Sequence, residues 1–321
     1  MKIVLLAGGQ SPERAVSQVT GKAVKNALED LGHRVTWVDP GLDLPQVLWQ
    51  ERQAGCEFVW IALHGGGGED GRVQALLDWL GLPYQGSGYL ASALAMDKAI
   101  AKQLFRAQGI PTPAAWVWEG QDCPTWGEVS ATLGSPVVIK PVDGGSTVGV
   151  TIASHARQFE EGMELAQTYG QRLLLETYIA GKELTLSILQ GQVMPAIEII
   201  TASGGLYDYA AKYEPGGSRH LIPCSLSPDG LAAAEQVALA AYQALGCQGL
   251  ARVDLRIDSQ EQPWVLEINT LPGMTPTSLC PDAAAALGWT FGQLVERILQ
   301  VSLTRFHGTP SASSLSRVVQ P

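Results

Sequence analysis

The sequence predicts an α/β unit at the N-terminus, followed by α+β segments in which strands dominate. Two observations carry this. Apolar runs at 3–6, 35–38 and 58–63 alternate with helix-spaced stretches, the pattern of a parallel sheet. From Glu183 onward, strand-like runs follow closely at 184–189, 193–200, 251–257 and 264–268, interrupted by one long helical stretch at 229–245.

The elements follow in order. After the first run a Gly8-Gly9 turn leads to Val16, Val19, Ala23, Ala27, Leu28 and Leu31 at helical spacing, and Gly32 stops that helix. The third run ends at His64, before four glycines. Ligands of parallel sheets gather beyond the carboxyl ends of the strands, where both glycine turns fall. A helix at 98–108 then leads through Gly109-Ile110-Pro111-Thr112-Pro113 to strands at 114–118, 137–140, 150–153 and 173–179. The last helix is expected at 291–301, and the Ser- and Pro-rich end, 306–321, reads as a disordered tail.

Composition narrows the function. The 321 residues are 46% hydrophobic and 16% charged, enough for a substantial core. A net charge of −10 argues against a nucleic-acid binder, which needs a basic surface. Five widely spaced cysteines without a C-x-x-C argue against a disulfide framework or zinc site. The first apolar run is too short for a secretory core, and the uncharged stretch 79–96 is broken by Gly81, Pro83, Gly86 and Gly88. These features suggest a cytoplasmic protein without a membrane span.

Three segments carry chemistry. In Arg252-Val253-Asp254-Leu255 and Leu266-Glu267-Ile268-Asn269, side chains alternate faces. Arg252 and Asp254 therefore share one face, and Glu267 and Asn269 share another, with Leu266 and Ile268 opposite. Pairing the two strands as a hairpin would set two carboxylates and an amide oxygen beside an arginine, a hard-oxygen set suited to Mg²⁺. Alone, the pattern fits an amphipathic hairpin with solvated polar faces equally well. The second segment is Lys140 at a strand end, followed by Gly144-Gly145-Ser146-Thr147, where backbone N–H groups can approach phosphate. It matches neither a P-loop nor G-x-G-x-x-G, and a plain flexible hairpin is the commoner meaning of one glycine cluster. The third is Tyr207 to Tyr213 with Lys212, running into Gly216-Gly217; alone it reads as a surface loop with packed tyrosines.

As an ordered set these segments resemble the D-alanine–D-alanine ligases of the ATP-grasp superfamily. The set includes Gly8-Gly9-Gln10-Ser11-Pro12-Glu13-Arg14, Ala62-Leu63-His64-Gly65, Glu69-Asp70-Gly71, Gly86-Ser87-Gly88 and Ala95-Met96-Asp97-Lys98. It continues through Lys140-Pro141, the tyrosine segment, Arg252-Val253-Asp254 and Glu267-Ile268-Asn269-Thr270-Leu271-Pro272-Gly273-Met274-Thr275. The resemblance spans residues 1 to about 303. It implies a Rossmann-like N-terminal domain at 1–96, then ATP-grasp subdomains at 97–181 and 182–305.

The resemblance also implies roles. Lys98 and Lys140 would hold ATP phosphates beneath the loop of Ser146 and Thr147, and Lys212 would reach the γ-phosphate. Glu176, Tyr178 and Ile179 would line adenine, and Glu183 the ribose. Asp254, Glu267 and Asn269 would bind two Mg²⁺ ions, with Mn²⁺ able to substitute. Glu13 would meet the first D-alanine's ammonium, with His64 beside the substrates. Arg252 and the Gly273 N–H would stabilise the oxyanion, while Ser278 and the Leu279 N–H would take the second carboxylate. Glu13, Ser146 and Tyr213 would form a triad closing the loop. Thr177 departs from the family, which often carries lysine there. The implied reaction passes through a D-alanyl phosphate and serves peptidoglycan synthesis and cell shape. The expected partners are ATP and D-alanine, with the enzyme a homodimer. The alternatives are a D-serine or D-lactate acceptor, or a non-catalytic binding module.

Overall fold

The computed structural model describes residues 1–120, 122–201 and 216–307. Among these, three sheets form. The N-terminal sheet holds β1 (Lys2–Leu6), β2 (Arg34–Val38) and β3 (Phe58–Ile61), all parallel in the order β2-β1-β3. Ile3 to Leu6 are all buried, which explains an apolar run with no alternation. Around the sheet lie α1 (Arg14–Asp30), α2 (Leu44–Gln53), α3 (Arg72–Leu80) and α4 (Tyr89–Met96).

Helix α1 differs from its expected apolar stripe. Val19 is exposed, while Ser17, Thr20 and Gly21 are buried. The reason is polar. Ser17 Oγ accepts from Gly8 N (2.8 Å) and donates to Ala62 O (2.7 Å), and Thr20 Oγ1 lies 3.0 Å from His64 Nε2. This face of the helix fastens the turns at the ends of β1 and β3. Buried polar groups of this kind need partners, and here each finds one in a glycine turn.

The second sheet is antiparallel, in the order β4 (Ala115–Trp118), β7 (Leu173–Thr177), β5 (Val137–Pro141), β6 (Thr151–Ala153). Helices α6 (Trp126–Leu133) and α7 (Ala156–Gln167) bury Val129, Leu133, Phe159 and Met163 against Val137, Ile139, Leu173 and Leu175. A capping box between Thr125 and Glu128 starts α6. Helix α5 (Lys98–Ala107) leads into this sheet, its first turn capped by Asp97 Oδ1 on Ile100 N (2.9 Å).

The third sheet runs β11 (Ser218–Leu221), β10 (Ile197–Thr201), β8 (Lys182–Leu189), β12 (Leu250–Ile257), β13 (Pro263–Asn269), with β9 (Gln192–Val193) beside β8. The single strand expected at 193–200 is therefore two strands. Pro195 falls in the gap, where it has no N–H to donate to a ladder. Helix α8 (Pro228–Ala244) covers one face through Ala234, Ala238 and Ala241. Helix α9 (Leu279–Ala286) precedes α10 (Phe291–His307).

Helix α10 runs beyond the expected end at Val301. It packs on α1 and joins the core of the N-terminal sheet. Arg305 holds its end, donating to Gly86 O (2.5 Å) and lying over the paired rings of Tyr84 and Phe306. The expected tail beyond His307 lies outside the described residues. No helix among the described residues is long and apolar enough to cross a membrane.

A short turn from Tyr178 to Gly181 joins β7 of the second sheet to β8 of the third. Gly181 has φ +140°, and a Cβ there would meet Ile257 O at 1.9 Å. Gly181→Ala should cost at least about 1–3 kcal/mol from backbone strain alone, before the clash is counted. Urea denaturation at pH 7 checks this; an unchanged midpoint would show that the turn relaxes freely.

Candidate active site

The chemistry is organised by the β12–β13 hairpin. The strands are antiparallel, with Arg252 opposite Asn269 and Asp254 opposite Glu267. Val253 and Leu255 are fully buried on the other face, as alternation requires. One expectation fails. A β-bulge follows Asp254, and Leu266 faces the same cleft as Glu267 instead of opposing it. The bulge inserts one residue into β13, so its alternation slips by one. The cleft thereby gains an apolar wall next to its carboxylates.

Asp254 is closely held. Its Oδ1 accepts from Thr185 Oγ1 (2.6 Å) and Arg252 Nε (2.8 Å), and its Oδ2 from Arg252 Nη2 (2.7 Å). Burial opposes the charge on Arg252, but the paired Asp254 outweighs it and raises the guanidinium pKa. Asn269 Oδ1 accepts from Leu271 N (2.9 Å), turning the chain toward Gly273.

Lys98, at the start of α5, and Lys140, on β5 of the second sheet, line the cleft beside the hairpin. Lys98 Nζ donates to Gly144 O (2.6 Å) and lies 3.2 Å from Glu267 Oε2. Lys140 Nζ pairs with Glu176 Oε2 at 2.5 Å. Glu176 is 1% exposed and its other oxygen accepts from Lys102. Lys102 Nζ also donates to Thr112 Oγ1 (2.6 Å), which donates to Val265 O on β13 (2.8 Å). Burial alone would raise the Glu176 carboxyl, but Lys140 and Lys102 outweigh it and hold it below the usual carboxylate range. Burial pushes Lys102 down to about 8.

Two clefts result. One has apolar walls at Val138, Val150, Leu184, Ile199 and Leu266, with Tyr178, Ile179 and Glu183 at one end and Lys140 and Thr147 at the other. The other is polar and holds Glu13, His64, Arg252, Gly273, Ser278 and Leu279. They share Lys98, Gly144, Gly145, Ser146 and Glu267, so a group in one meets the other across that wall.

The glycine loop is bent over this wall. Ser146 (φ +50°) and Thr147 (φ +62°) both adopt left-handed backbone, which is costly for a β-branched residue. Ser146 Oγ donates to Glu13 Oε1, tying the loop to the N-terminal domain. His64 is buried, with Nδ1 3.2 Å from Glu69 Oε1. Ser278 Oγ accepts from Thr275 N (3.0 Å) and lies 2.7 Å from Thr275 Oγ1, while Leu279 opens α9. The orphan N–H groups of that helix start suit an anion.

The structure thus brings together Glu13, His64, Lys98, Lys140, Ser146, Thr147, Glu176, Tyr178, Ile179, Glu183, Arg252, Asp254, Glu267, Asn269, Gly273, Ser278 and Leu279. Lys212 and Tyr213 lie outside the described residues. Thr177 donates from Oγ1 to Leu133 O (2.8 Å), so its hydroxyl turns to α6 and not toward a base. Sequence reasoning missed Lys102, Thr112 and Arg256. Lys102 had a signal, since it stands four residues after Lys98 on one helix face. Arg256 likewise continues the alternation of Arg252 and Asp254.

Two antiparallel sheets closing on a cleft lined by lysines and carboxylates give the chain an ATP-grasp fold. Comparison with known proteins is more specific. A family model described as the D-ala D-ala ligase C-terminus matches residues 104–300. The chain is 69% identical to a D-alanine–D-alanine ligase of Synechococcus sp. (strain JA-2-3B'a(2-13)), over 97% of this chain and 96% of that one. It is 56% identical to one from Gloeobacter violaceus, over 94% and 100%. Among solved structures, the D-alanine–D-alanine ligase from Bacillus anthracis complexed with ATP superimposes with TM-score 0.83 at 32% identity, covering 95% of this chain and 98% of that one. A D-Ala:D-Ser ligase from Enterococcus faecalis reaches 0.78 at 26% identity, covering 94% and 99%. The chain belongs to the D-alanine–D-alanine ligase family.

Glu176→Gln would leave Lys102 and Lys140 without their shared countercharge. The expected loss is about 3–5 kcal/mol at pH 7, the scale for breaking a buried ion pair. The sign with pH follows from a depressed carboxylate. Its contribution is present above the ordinary value of 4.5 and fades as pH falls through the lower folded value. Urea melts of both proteins from pH 7 downward should converge below pH 4.5; a constant gap would mean the charge is not the cause.

Proposed function

We propose that this chain joins two D-alanine molecules to D-alanyl-D-alanine, converting ATP to ADP and phosphate for peptidoglycan synthesis. One observation carries the reading most: the apolar cleft lined by Lys98 and Lys140 and the polar cleft share a wall at Lys98, Ser146 and Glu267. A phosphoryl donor and a small amino-acid acceptor would meet there.

Adenine lies against Val138, Ile199 and Leu266, beside Tyr178 and Ile179, with the ribose at Glu183. The phosphates reach Lys98 and Lys140 under the loop of Ser146 and Thr147, with Lys212 toward the γ-phosphate. Asp254, Glu267 and the Asn269 oxygen are hard donors, and the opposed carboxylates fit Mg²⁺ or Mn²⁺. When bound, such ions neutralise phosphate charge.

Glu13 receives the first D-alanine's ammonium beside His64. That substrate's carboxylate attacks the γ-phosphorus, ADP leaves, and an acyl phosphate forms. The second D-alanine sits with its carboxylate at Ser278 and the Leu279 N–H. Its amine attacks the acyl carbon, the oxyanion meets Arg252 and the Gly273 N–H, and phosphate departs. The Glu13–Ser146 contact supports a loop that excludes water, with Tyr213 as the third member.

The same reading divides the chain at 96/97 and 181/182; each of the three sheets lies wholly within one of the spans so defined. It also makes the enzyme a cytoplasmic homodimer, a state that light scattering would test.

The test is phosphate release with ATP and Mg²⁺ across D-alanine, L-alanine, D-serine and D-lactate. D-alanine alone should support dipeptide formation, and L-alanine should give none. Equal rates with L-alanine, or a faster mixed product with D-serine, would overturn the substrate assignment. Glu267→Gln should stay folded by circular dichroism and lose about 10²–10³-fold in turnover, the scale for removing one group that stabilises transition-state charge. Near-normal turnover in the folded variant would remove Glu267 from the site.

A further inference from the structure

Arg256 lines the nucleotide cleft, yet its guanidinium points back into the chain instead of out toward a ligand. Nε donates to Ile179 O (3.1 Å), Nη2 donates to Gly181 O (2.7 Å), and Nη1 lies 3.4 Å from Glu183 Oε2. Arg256 and Glu183 are also direct cross-strand partners on β12 and β8. The guanidinium carbon sits 5.7 Å from the centre of the Tyr178 ring. One side chain thus grips two carbonyls of the turn between the two sheets and the carboxylate that follows it. Both members of the ion pair are largely buried, at 17% and 19% side-chain exposure, so solvent screens it only partly.

The arrangement has a chemical purpose that packing alone does not need. Glu183 shares its cleft with Glu176, Asp254 and Glu267. Another carboxylate there, facing a polyanionic nucleotide, needs a fixed countercharge to stay in place. Arginine supplies it with planar, directional donors, and three of them are already committed. A lysine carries its donors on one nitrogen and cannot set separate nitrogens against two carbonyls and a carboxylate.

We propose that Arg256 is a positioning residue for nucleotide choice: by fixing Glu183 and the turn before it, it makes the cleft select the ribose hydroxyls. This rests on the ATP-dependent reading above. A carboxylate held in one orientation accepts from a ribose hydroxyl with charge-assisted strength, and a loosely held one does not. The turn also presents Tyr178 and Ile179 to the base, so nucleotide affinity and sugar discrimination should move together.

The experiment compares phosphate release from ATP, 2′-deoxy-ATP and 3′-deoxy-ATP at saturating D-alanine and Mg²⁺. The wild type should prefer ATP over at least one deoxy form. Arg256→Met should raise the KM for ATP about tenfold, the size of one charge-assisted hydrogen bond. Its kcat and its KM for D-alanine should stay near wild type, while the preference for ATP falls toward unity. Arg256→Lys keeps the charge and should still lose most of that preference; it decides the matter if the methionine variant does not fold. A folded variant that keeps the wild-type preference would overturn the proposal, as would a wild type that uses all three nucleotides alike. A wild type that releases no phosphate from any nucleotide would overturn the ligase reading itself, and this inference with it.

Discussion

Between Lys102 and Lys140, Glu176 carries a buried negative charge that the rest of the site is built around. Without it, two ammonium groups would face each other out of water, and a buried pair of like charges is not tolerated. With it, four elements are tied at one point. Lys140 belongs to β5, Lys102 to α5, Glu176 to β7, and Thr112 carries the link to Val265 on β13. Lys140, on the wall of the cleft, is thereby fixed from β7 and α5.

The same economy governs the other wall. Helix α1 gives up apolar residues at Ser17 and Thr20, and with them holds the glycine turn after β1 and the imidazole of His64. The strained backbone at Ser146 and Thr147 is held over the shared wall by the hydrogen bond from Ser146 to Glu13. That bond joins a residue of the second sheet's glycine loop to the residue that starts α1, 133 positions apart. Strain of this kind persists where surrounding contacts over-determine it, and it concentrates at functional sites.

Much of this was legible in the residues. The parallel N-terminal sheet followed from three apolar runs, because strands buried on both faces carry no alternation. The Arg252, Asp254, Glu267 and Asn269 grouping followed from two-residue periodicity and a short connection. The face of Leu266 was misread because a bulge shifts the period without any mark in composition. The split at Pro195 was available in principle, since a proline in a central strand argues against that strand.

By itself the sequence determined the order of elements, the family, and which residue types would converge, because periodicity, turn chemistry and ordered motifs are local properties. It could not show that Glu176 is a buried bridge between Lys102 and Lys140, nor that Arg256 grips the turn before β8. Nor could it show that helix α10 returns to pack on α1. Those outcomes depend on which partners burial brings within hydrogen-bond reach across long separations. Only the closed fold sets which charges must neutralise one another, since the cost of leaving one unpaired appears only after water is excluded.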